Sequence, residues 1–438
     1  KIPRRAPDDL ESHVIVYCYG SPVETLLRRL QQHGIRTLVA ETDEEQARAA
    51  LDRQQTVVFS RSDEDILDAC RLDRARALVM NAPDEENAGA ILRARQMGFR
   101  GEIYAFVSEP SHRMPMELAG ATAAYTPRHI IAAALAAHAS ETISPRLPGF
   151  EMLGGRLQRR ELRVPKGSPM VGRTLSDAGV GAASGAIVVG QWSHSKLNSR
   201  CTGEMKIAAN AILELVGDEE ALDKVRELIG GRYLRPDGPF LIAGFGEVGR
   251  KVHELLSDAG EEVRVIERRS APGVDVVGDV LDAAVLERAG LSSARAVILA
   301  LDSDDSTLFA TVIIRDAVAD VAVIARVNHE RNVDNIHRAG ADFALSVADI
   351  SGEMLSARLL GRSSRDREDH RRVMPVAARG WAGMPLHRIP LRDNGCSALA
   401  IERNGVVLPV SREAVLEPND RLWICGTRDG VMKIAEHR

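Results

Sequence analysis

The chain has 438 residues, more than one hydrophobic core usually serves, so two to four domains of ordinary size are expected. Its 57 basic and 62 acidic side chains leave a net charge of -5, and neither sign gathers into the long block that would suggest a nucleic-acid-binding tail. Cys18, Cys70, Cys201, Cys396 and Cys425 lack CxxC or Cys/His spacing, which argues against a disulfide framework or a zinc site, and no apolar run approaches the ~20 residues needed to cross a bilayer.

The chain opens on KIPRRAPDDLESHV, which has no signal-peptide core; a first residue of Lys rather than Met leads us to expect a segment cut from something longer. From residue 13, apolar strand-like runs alternate with stretches of helical period: VIVY, then VETLLRRLQQHG, then RTLVAE, and so on to ALVM and EIYAFV. This βαβ succession implies a mostly parallel sheet covered on both faces. The same pattern returns in the second half, where residues 13–41 lie over 239–267 without a gap and Glu41 falls on Glu267. LDRARALVMNAPDEEN (72–87) matches LSSARAVILALDSDDS (291–306), and LAGATAAY (118–125) matches RAGADFAL (338–345).

Between and after the copies, short β-type runs with a closing helix recur at 185–228 and 397–437, predicting a smaller α+β lobe after each large one. The arginine-rich GRSSRDREDHRR (361–372) has little to bury and reads as the linker before the last lobe. The expected organisation is a large lobe over 13–140, a small one over 150–230, a large one over 237–360 and a small one over 370–438, with 1–12 ahead of them. The fold class is α/β, with two doubly wound lobes each followed by a small α+β lobe.

In LIAGFGEVGR (241–250) each glycine has a separate task. Gly244 permits the tight turn off the strand, Gly246 lets the backbone approach a pyrophosphate, and Gly249 lets the next helix sit close to the sheet. The N-terminus of that helix then faces the phosphates. Glu267, 23 residues after Gly244 at the end of VRVIE, stands where a carboxylate accepts hydrogen bonds from both ribose hydroxyls and repels a 2'-phosphate. NAD(H), ATP or ADP are favoured over NADPH, although Arg268 next door leaves the phosphorylated cofactor open. In the first copy Cys18 replaces the first glycine, Gly20 is kept and Val23 replaces the third, so no dinucleotide is expected there. Glu41 then reads as a remnant of the ribose contact or, more simply, as a solvated acid at a strand end.

Hydride transfer needs a proton donor or base with an orienting partner, and His253, His329 and His337 show none at the level of sequence. GxSxG, GKS/T and HExxH are absent, so no enzymatic activity is assigned. The acidic clusters PDEEN (83–87) and DSDDS (302–306) could hold a divalent cation such as Ca2+, or could cap the helices that follow.

LIAGFGEVGRKV, the acid in VRVIERR, GDVLDAAVLERAG, ARAVILALDSDD, VIARVNHERNVDNIHRAGAD, SPMVGRTL and NDRLWICG occur in an order that resembles two tandem RCK units (regulator of conductance for potassium). Each such unit is a Rossmann-like, TrkA-N-type lobe followed by a small TrkA-C-type lobe, as in potassium channels and the Trk/Ktr uptake systems. The resemblance implies nucleotide contacts from Gly244, Phe245, Gly246, Glu247 and Val248, from Glu267, from Asp279 and Val280, from Leu301 and Asp302, and from Arg326 towards the phosphates. Departures are Cys18 and Val23 in the first lobe, and Ala211 where the second small lobe has Asp420.

The resemblance further implies rings of eight units, hence a homotetramer, with IIAAALAAHASE and DISGEMLSARLL as crossover helices joining neighbours. The expectation is a nucleotide-sensing gating ring at the cytoplasmic face of the cell membrane, with the pore ahead of Lys1 and KIPRRAPDDLE as tether. Lys1, Arg4 and Arg5 suit the region just inside a membrane. A soluble subunit of a Trk/Ktr-type uptake system is the alternative, and an NAD-dependent oxidoreductase is the alternative of another class.

Overall fold

A computed structural model describes residues 2–62, 66–145, 147–154, 157–361, 371–411 and 413–436. The first large lobe runs β1 (Val14–Tyr17), α1 (Ser21–Gln32), β2 (Thr37–Glu41), α2 (Glu44–Asp52), β3 (Val57–Phe59), α3 (Ile66–Ala69), β4 (Ala77–Met80), α4 (Asp84–Gln96), β5 (Glu102–Phe106), α5 (Arg113–Ala119), β6 (Ala123–Tyr125) and α6 (Pro127–Ala139). Its strands pair in parallel in the order β3-β2-β1-β4-β5-β6, the doubly wound arrangement in which the order reverses between β1 and β4. β1, β2 and β4 are buried along their whole length, as apolar strands covered on both faces must be.

The first small lobe comprises β7 (Gln158–Arg163), α7 (Val180–Ser184), β8 (Ile187–Ser193), β9 (Lys196–Asn198), β10 (Ile212–Gly217), α8 (Glu219–Ile229) and β11 (Arg232–Tyr233), in an antiparallel sheet ordered β11-β7-β10-β8-β9. The second large lobe follows as β12 (Phe240–Ala243), α9 (Glu247–Asp258), β13 (Val263–Glu267), β14 (Val276–Val277), α10 (Ala283–Arg288), β15 (Ala296–Leu299), α11 (Asp304–Ala317), β16 (Ala322–Val327), α12 (Val333–Ala339), β17 (Phe343–Ser346) and α13 (Val347–Leu359). Its sheet order, β14-β13-β12-β15-β16-β17, repeats the first. Where the first lobe has α2, however, the second crosses from β13 to β14 by a helix-free loop, RRSAPGVD, whose proline and glycine interrupt a helix. The last lobe holds β18 (Arg371–Ala377), β19 (Cys396–Arg403), β20 (Val406–Pro409), β21 (Arg421–Thr427) and α14 (Arg428–Glu436), with sheet order β18-β21-β19-β20. The expected linker falls mostly on residues 362–370, outside the described residues.

The closing helices of the large lobes exchange places. α6 buries Ile131, Ala132, Leu135 and Ala136 in one core with Val248, Val252 and Leu256 of α9, on the second lobe. α13 returns the exchange, adding Leu355 and Leu359 to the core of the first lobe beside Leu26, Leu27 and Leu30 of α1. A Cβ on Gly352 of α13 would lie 2.7 Å from the backbone nitrogen of Leu26, so the two helices approach backbone to backbone there. Both stretches expected to cross over therefore do so, but they join the two halves of one chain.

The residues ahead of β1 are part of the first lobe. Ala6 and Leu10 are buried in its core, and Phe59 N donates to Pro3 O and Ala6 N to Ala69 O. Arg4 and Arg5 remain exposed. The small lobes pack on each other through Val189, Val216, Val373, Leu399 and Trp423, and at that junction Arg371 pairs with Glu214, both essentially inaccessible to solvent.

Candidate functional site

A cavity of about 210 Å³ lies at the carboxyl ends of β12, β13 and β15, the place the sheet order marks for a ligand. It is lined by Gly244, Gly246, Ile266, Glu267, Arg268, Gly278, Val280, Ala300, Leu301, Asp302, Ser303 and Ser306. The three glycines differ in what fixes them. Gly244 has φ 94, a left-handed conformation costly for other residues, and its Cβ would meet Ala300 O at 2.9 Å. A Cβ on Gly249 would stand 2.0 Å from Gly244 O, so that glycine lets α9 sit on its own turn. Gly246, just ahead of α9, has nothing within 4 Å of where a Cβ would be, and a side chain there would fill the space over the first amides of the helix.

Glu267 is the hinge of the site. Its Oε2 accepts from Phe245 N at 2.8 Å and its Oε1 from Arg268 N at 2.8 Å, which holds the glycine loop against the end of β13 and leaves lone pairs for a ribose. Arg268 is paired with Asp279 at 3.0 Å, and Asp279 also accepts from Leu281 N, shaping the turn that brings Gly278 and Val280 to the cavity. Arg326, largely buried on β16, reaches exposed Asp302 at 3.0 Å while its Nε is buried with no hydrogen-bond partner. An anion at this rim would supply the missing acceptor.

Of the residues singled out in the sequence, Gly244, Gly246, Glu267, Arg268, Val280, Leu301 and Asp302 line the cavity together. Arg326 and Asp279 sit behind lining residues through their ion pairs. Val248 is buried in the core against α6, Glu247 turns to α6, and the Phe245 ring packs on His253 and Arg250, so these three offer the cavity backbone rather than side chain. Sequence reasoning missed Ile266, Gly278, Ala300, Ser303 and Ser306; only the glycine of the GDV turn and the serines of DSDDS carried a signal.

In the first lobe a side chain occupies the matching glycine turn. Cys18 holds φ 65, Val23 is fully buried, and the Asn81 side chain donates to Cys18 O at 3.2 Å and stands 3.3 Å from where a Gly20 Cβ would be. Glu41 is not the solvated acid considered from sequence: it is 2% exposed and accepts from Tyr19 N, Thr42 N and Asp43 N. It clamps its loop as Glu267 does.

The acidic clusters are turn clamps. Asp304 accepts from Asn328 N, His329 N and the Asn332 side chain, and Asp84 from Ser108 N, its hydroxyl and His112 Nδ1. Burial works to raise the Asp304 pKa, but these hydrogen bonds outweigh it and hold the carboxyl below its usual range. Among the described residues no group of three or more His, Cys, Asp or Glu side chains could hold a metal, so Ca2+ gains no support. The histidines also have partners the sequence did not suggest: His253 on Phe245, His329 with Asp304 at 3.1 Å, and His337 with Ser195 and Ala341 O. The aspartate clamp recurs, since Asp84 and Asp304 both open a helix and His112 takes the place of Asn332, which marks the aspartates as scaffolding; the His329 contact has no counterpart among the described residues.

The TrkA-N domain model matches residues 14–127 and 240–347, and the TrkA-C domain model matches 159–230 and 372–437. The chain belongs to the TrkA-N/TrkA-C family. It carries two such (RCK) pairs in tandem, as the sequence led us to expect. It is 27% identical over 114 residues to the voltage-gated potassium channel Kch of Escherichia coli K12, a match covering 26% of this chain and 27% of Kch. It is 26% identical over 208 residues to the Trk system potassium uptake protein TrkA of Streptomyces coelicolor, covering 44% of this chain and 92% of that one. The solved structure of the GsuK channel bound to NAD matches 99% of this chain and 80% of that chain at 27% identity and a TM-score of 0.55. The chain thus spans only about a quarter of Kch. Its lobes are RCK-type regulatory domains of the kind found in potassium channels and Trk systems, and TrkA-N is a nucleotide-binding domain. These relatives are channels and a potassium uptake protein, none of them named as an enzyme. No helix among the described residues is long and apolar enough to cross a membrane.

Proposed function

We propose that this chain is a nucleotide-sensing unit of a gating ring that regulates potassium flux through a membrane pore, with the ligand bound in the second large lobe. The observation that carries the reading is the open backbone at Gly246 above the N-terminus of α9, facing a cavity that ends at the Glu267 carboxylate. NAD(H) is the first candidate, supported by the NAD-bound relative, and ATP or ADP, which share its adenosine diphosphate moiety, the second. The Glu267 carboxylate disfavours a 2'-phosphate, and Arg268, which could have welcomed one, is already paired with Asp279. Bound nucleotide would supply phosphate charge for the α9 amides and Arg326, and ribose hydroxyls for Glu267.

Assembly into a ring of eight lobe pairs from four chains is supported by exposed apolar side chains on the matching helices α4 (Leu92) and α11 (Phe309 and Val312), and on α5 (Met114 and Leu118). Such a ring would sit at the cytoplasmic face of the membrane, its pore on the same polypeptide or on a separate subunit. A ligand shifts a ring between two packings only by its preference for one, typically about 1 to 3 kcal/mol per coupled site. The second reading, a subunit of a Trk-type uptake system, is favoured by the near-complete coverage of TrkA.

Calorimetric titration of the chain with NAD+, NADH, ATP and ADP tests the proposal. Saturable binding at one site per chain is expected. Heat from none of the four would overturn it, and a substrate-dependent change in the nicotinamide absorbance band would move the assignment to an oxidoreductase.

A further inference from the structure

The first turn of α6 lies beside the nucleotide site of the opposite lobe. Arg128 Nη1 is 2.6 Å from Oε2 of Glu247, the residue that follows Gly246 and opens α9. His129 Nε2 lies 3.9 Å from Oε1 of the same carboxylate, an oxygen that is buried and makes no hydrogen bond. The guanidinium therefore stands within one side-chain length of the amides at the start of α9. Its side chain is 57% exposed and can swing. The carboxylates of Glu247, Glu109 and Asp302 all favour its charged form, Asp302 being on the cavity rim.

A carboxylate at the first position of α9 suits the empty helix end but opposes a phosphate placed on the same amides. One cation serves both states if it can change partner. We propose that Arg128 is the phosphate-reading residue of the site: Glu247 neutralises it when the cavity is empty, and a diphosphate over Gly246–Val248 draws it away. Occupancy of the second lobe is thereby felt by a helix that belongs to the first. This inference rests on the nucleotide reading of the cavity.

The internal repeat supports it. At the matching turn of the first lobe, Ser21 opens α1 where Glu247 opens α9, and buried Ala348 of α13 takes the place of Arg128. Both members of the ion pair are present where the glycine turn is open, and both are missing where Asn81 occupies it.

The test is calorimetric titration of the wild-type chain and of Arg128→Ala, Arg128→Lys, Glu247→Gln and Arg128→Ala/Glu247→Gln, with ADP and separately with NAD+. Both residues reach solvent, so melting temperatures should hardly move. The Ala variant should bind about tenfold more weakly, as expected for one charge-assisted hydrogen bond, with Lys recovering part of the loss. Glu247→Gln should bind several-fold more tightly, and the double variant close to wild type. Hydrogen exchange of α6 should slow with ligand in wild type and not in Arg128→Ala. Equal binding by wild type and Arg128→Ala, or weakening by Glu247→Gln, overturns this inference alone. A wild-type chain that binds neither probe overturns the nucleotide reading as well.

Discussion

Gly246→Val separates ligand binding from folding more cleanly than any other change at this site. Gly246 has φ -69, which any residue adopts, and no heavy atom within 4 Å of the added Cβ, so the variant should fold with the wild-type melting temperature. The isopropyl group would occupy the space over the first amides of α9, where two or more backbone donors meet the phosphates. Charge-assisted hydrogen bonds contribute about 1.5 to 3 kcal/mol each, so losing two costs roughly 3 to 6 kcal/mol, or a hundredfold to ten-thousandfold in affinity. The assay is a thermal melt with and without nucleotide. At a hundred times its dissociation constant a ligand stabilises the wild type by about 2.7 kcal/mol, a rise of several degrees, and Gly246→Val should show at most about 0.4 kcal/mol at the same concentration. Gly249→Ala is the control with the opposite profile: its Cβ would press to 2.0 Å from Gly244 O, lowering the melting temperature before any ligand is added. Gly20→Val, beside Asn81 in the first lobe, should leave binding intact. A ligand-induced rise that survives in full in Gly246→Val, or disappears equally in Gly20→Val, would refute the assignment of the site to the second lobe.

Gly352→Leu should separate α13 from α1, because its Cβ already lies 2.7 Å from Leu26 N; limited proteolysis should then cut near residue 360 faster than in wild type. His13 and His337 are both buried, and burial is the main cause of their lowered pKa values, opposed by hydrogen bonds to Cys70 O and Ala341 O; His194 and Arg36 add to the lowering. In each case the unfolded chain binds the proton more readily, so stability is complete above pH 6.5 and falls as pH drops through the unfolded value. Denaturant midpoints should fall between pH 7.5 and 5.5, and less steeply in His337→Gln.

The βαβ order, the four-lobe division and the glycine turn were legible because each is a local pattern of apolar period or backbone freedom. The destination of α6 and α13 on opposite large lobes was not. An almost wholly apolar helix such as PRHIIAAALAAHA announces burial on most of its faces without naming the sheet it packs on. Glu41 was misjudged because its three backbone donors come from turns on either side of it, which no side-chain pattern reveals. Asn81 carried no signal in the sequence, yet its amide occupies the glycine turn of the first lobe, alongside the Cys18 and Val23 that could be read directly. Ser303, Ser306 and Gly278 were overlooked because such residues are common at turns whatever the ligand.

The exchanged helix also gives the site a mechanical outlet. Arg128 stands at one end of α6 and His138 ten residues on, about 15 Å along the axis, where its ring lies 5.7 Å from Trp192 and 4.6 Å from Phe343. Trp192, on β8, donates from Nε1 to Glu214 Oε1 at 2.6 Å, and Glu214 is the buried partner of Arg371 at the junction of the small lobes. Movement of α6 is therefore one contact from a charge pair that tolerates little displacement, since a buried ion that loses a partner costs several kcal/mol. Trp192→Phe keeps the ring against His138 and Phe343 but removes the donor. It should lower the stability of the small-lobe junction by about 1 to 3 kcal/mol while leaving nucleotide affinity unchanged. Hydrogen exchange over β18 should respond to nucleotide in wild type and not in the variant. If β18 in the variant still responds in full, ligand occupancy reaches the small lobes by a route that bypasses Glu214.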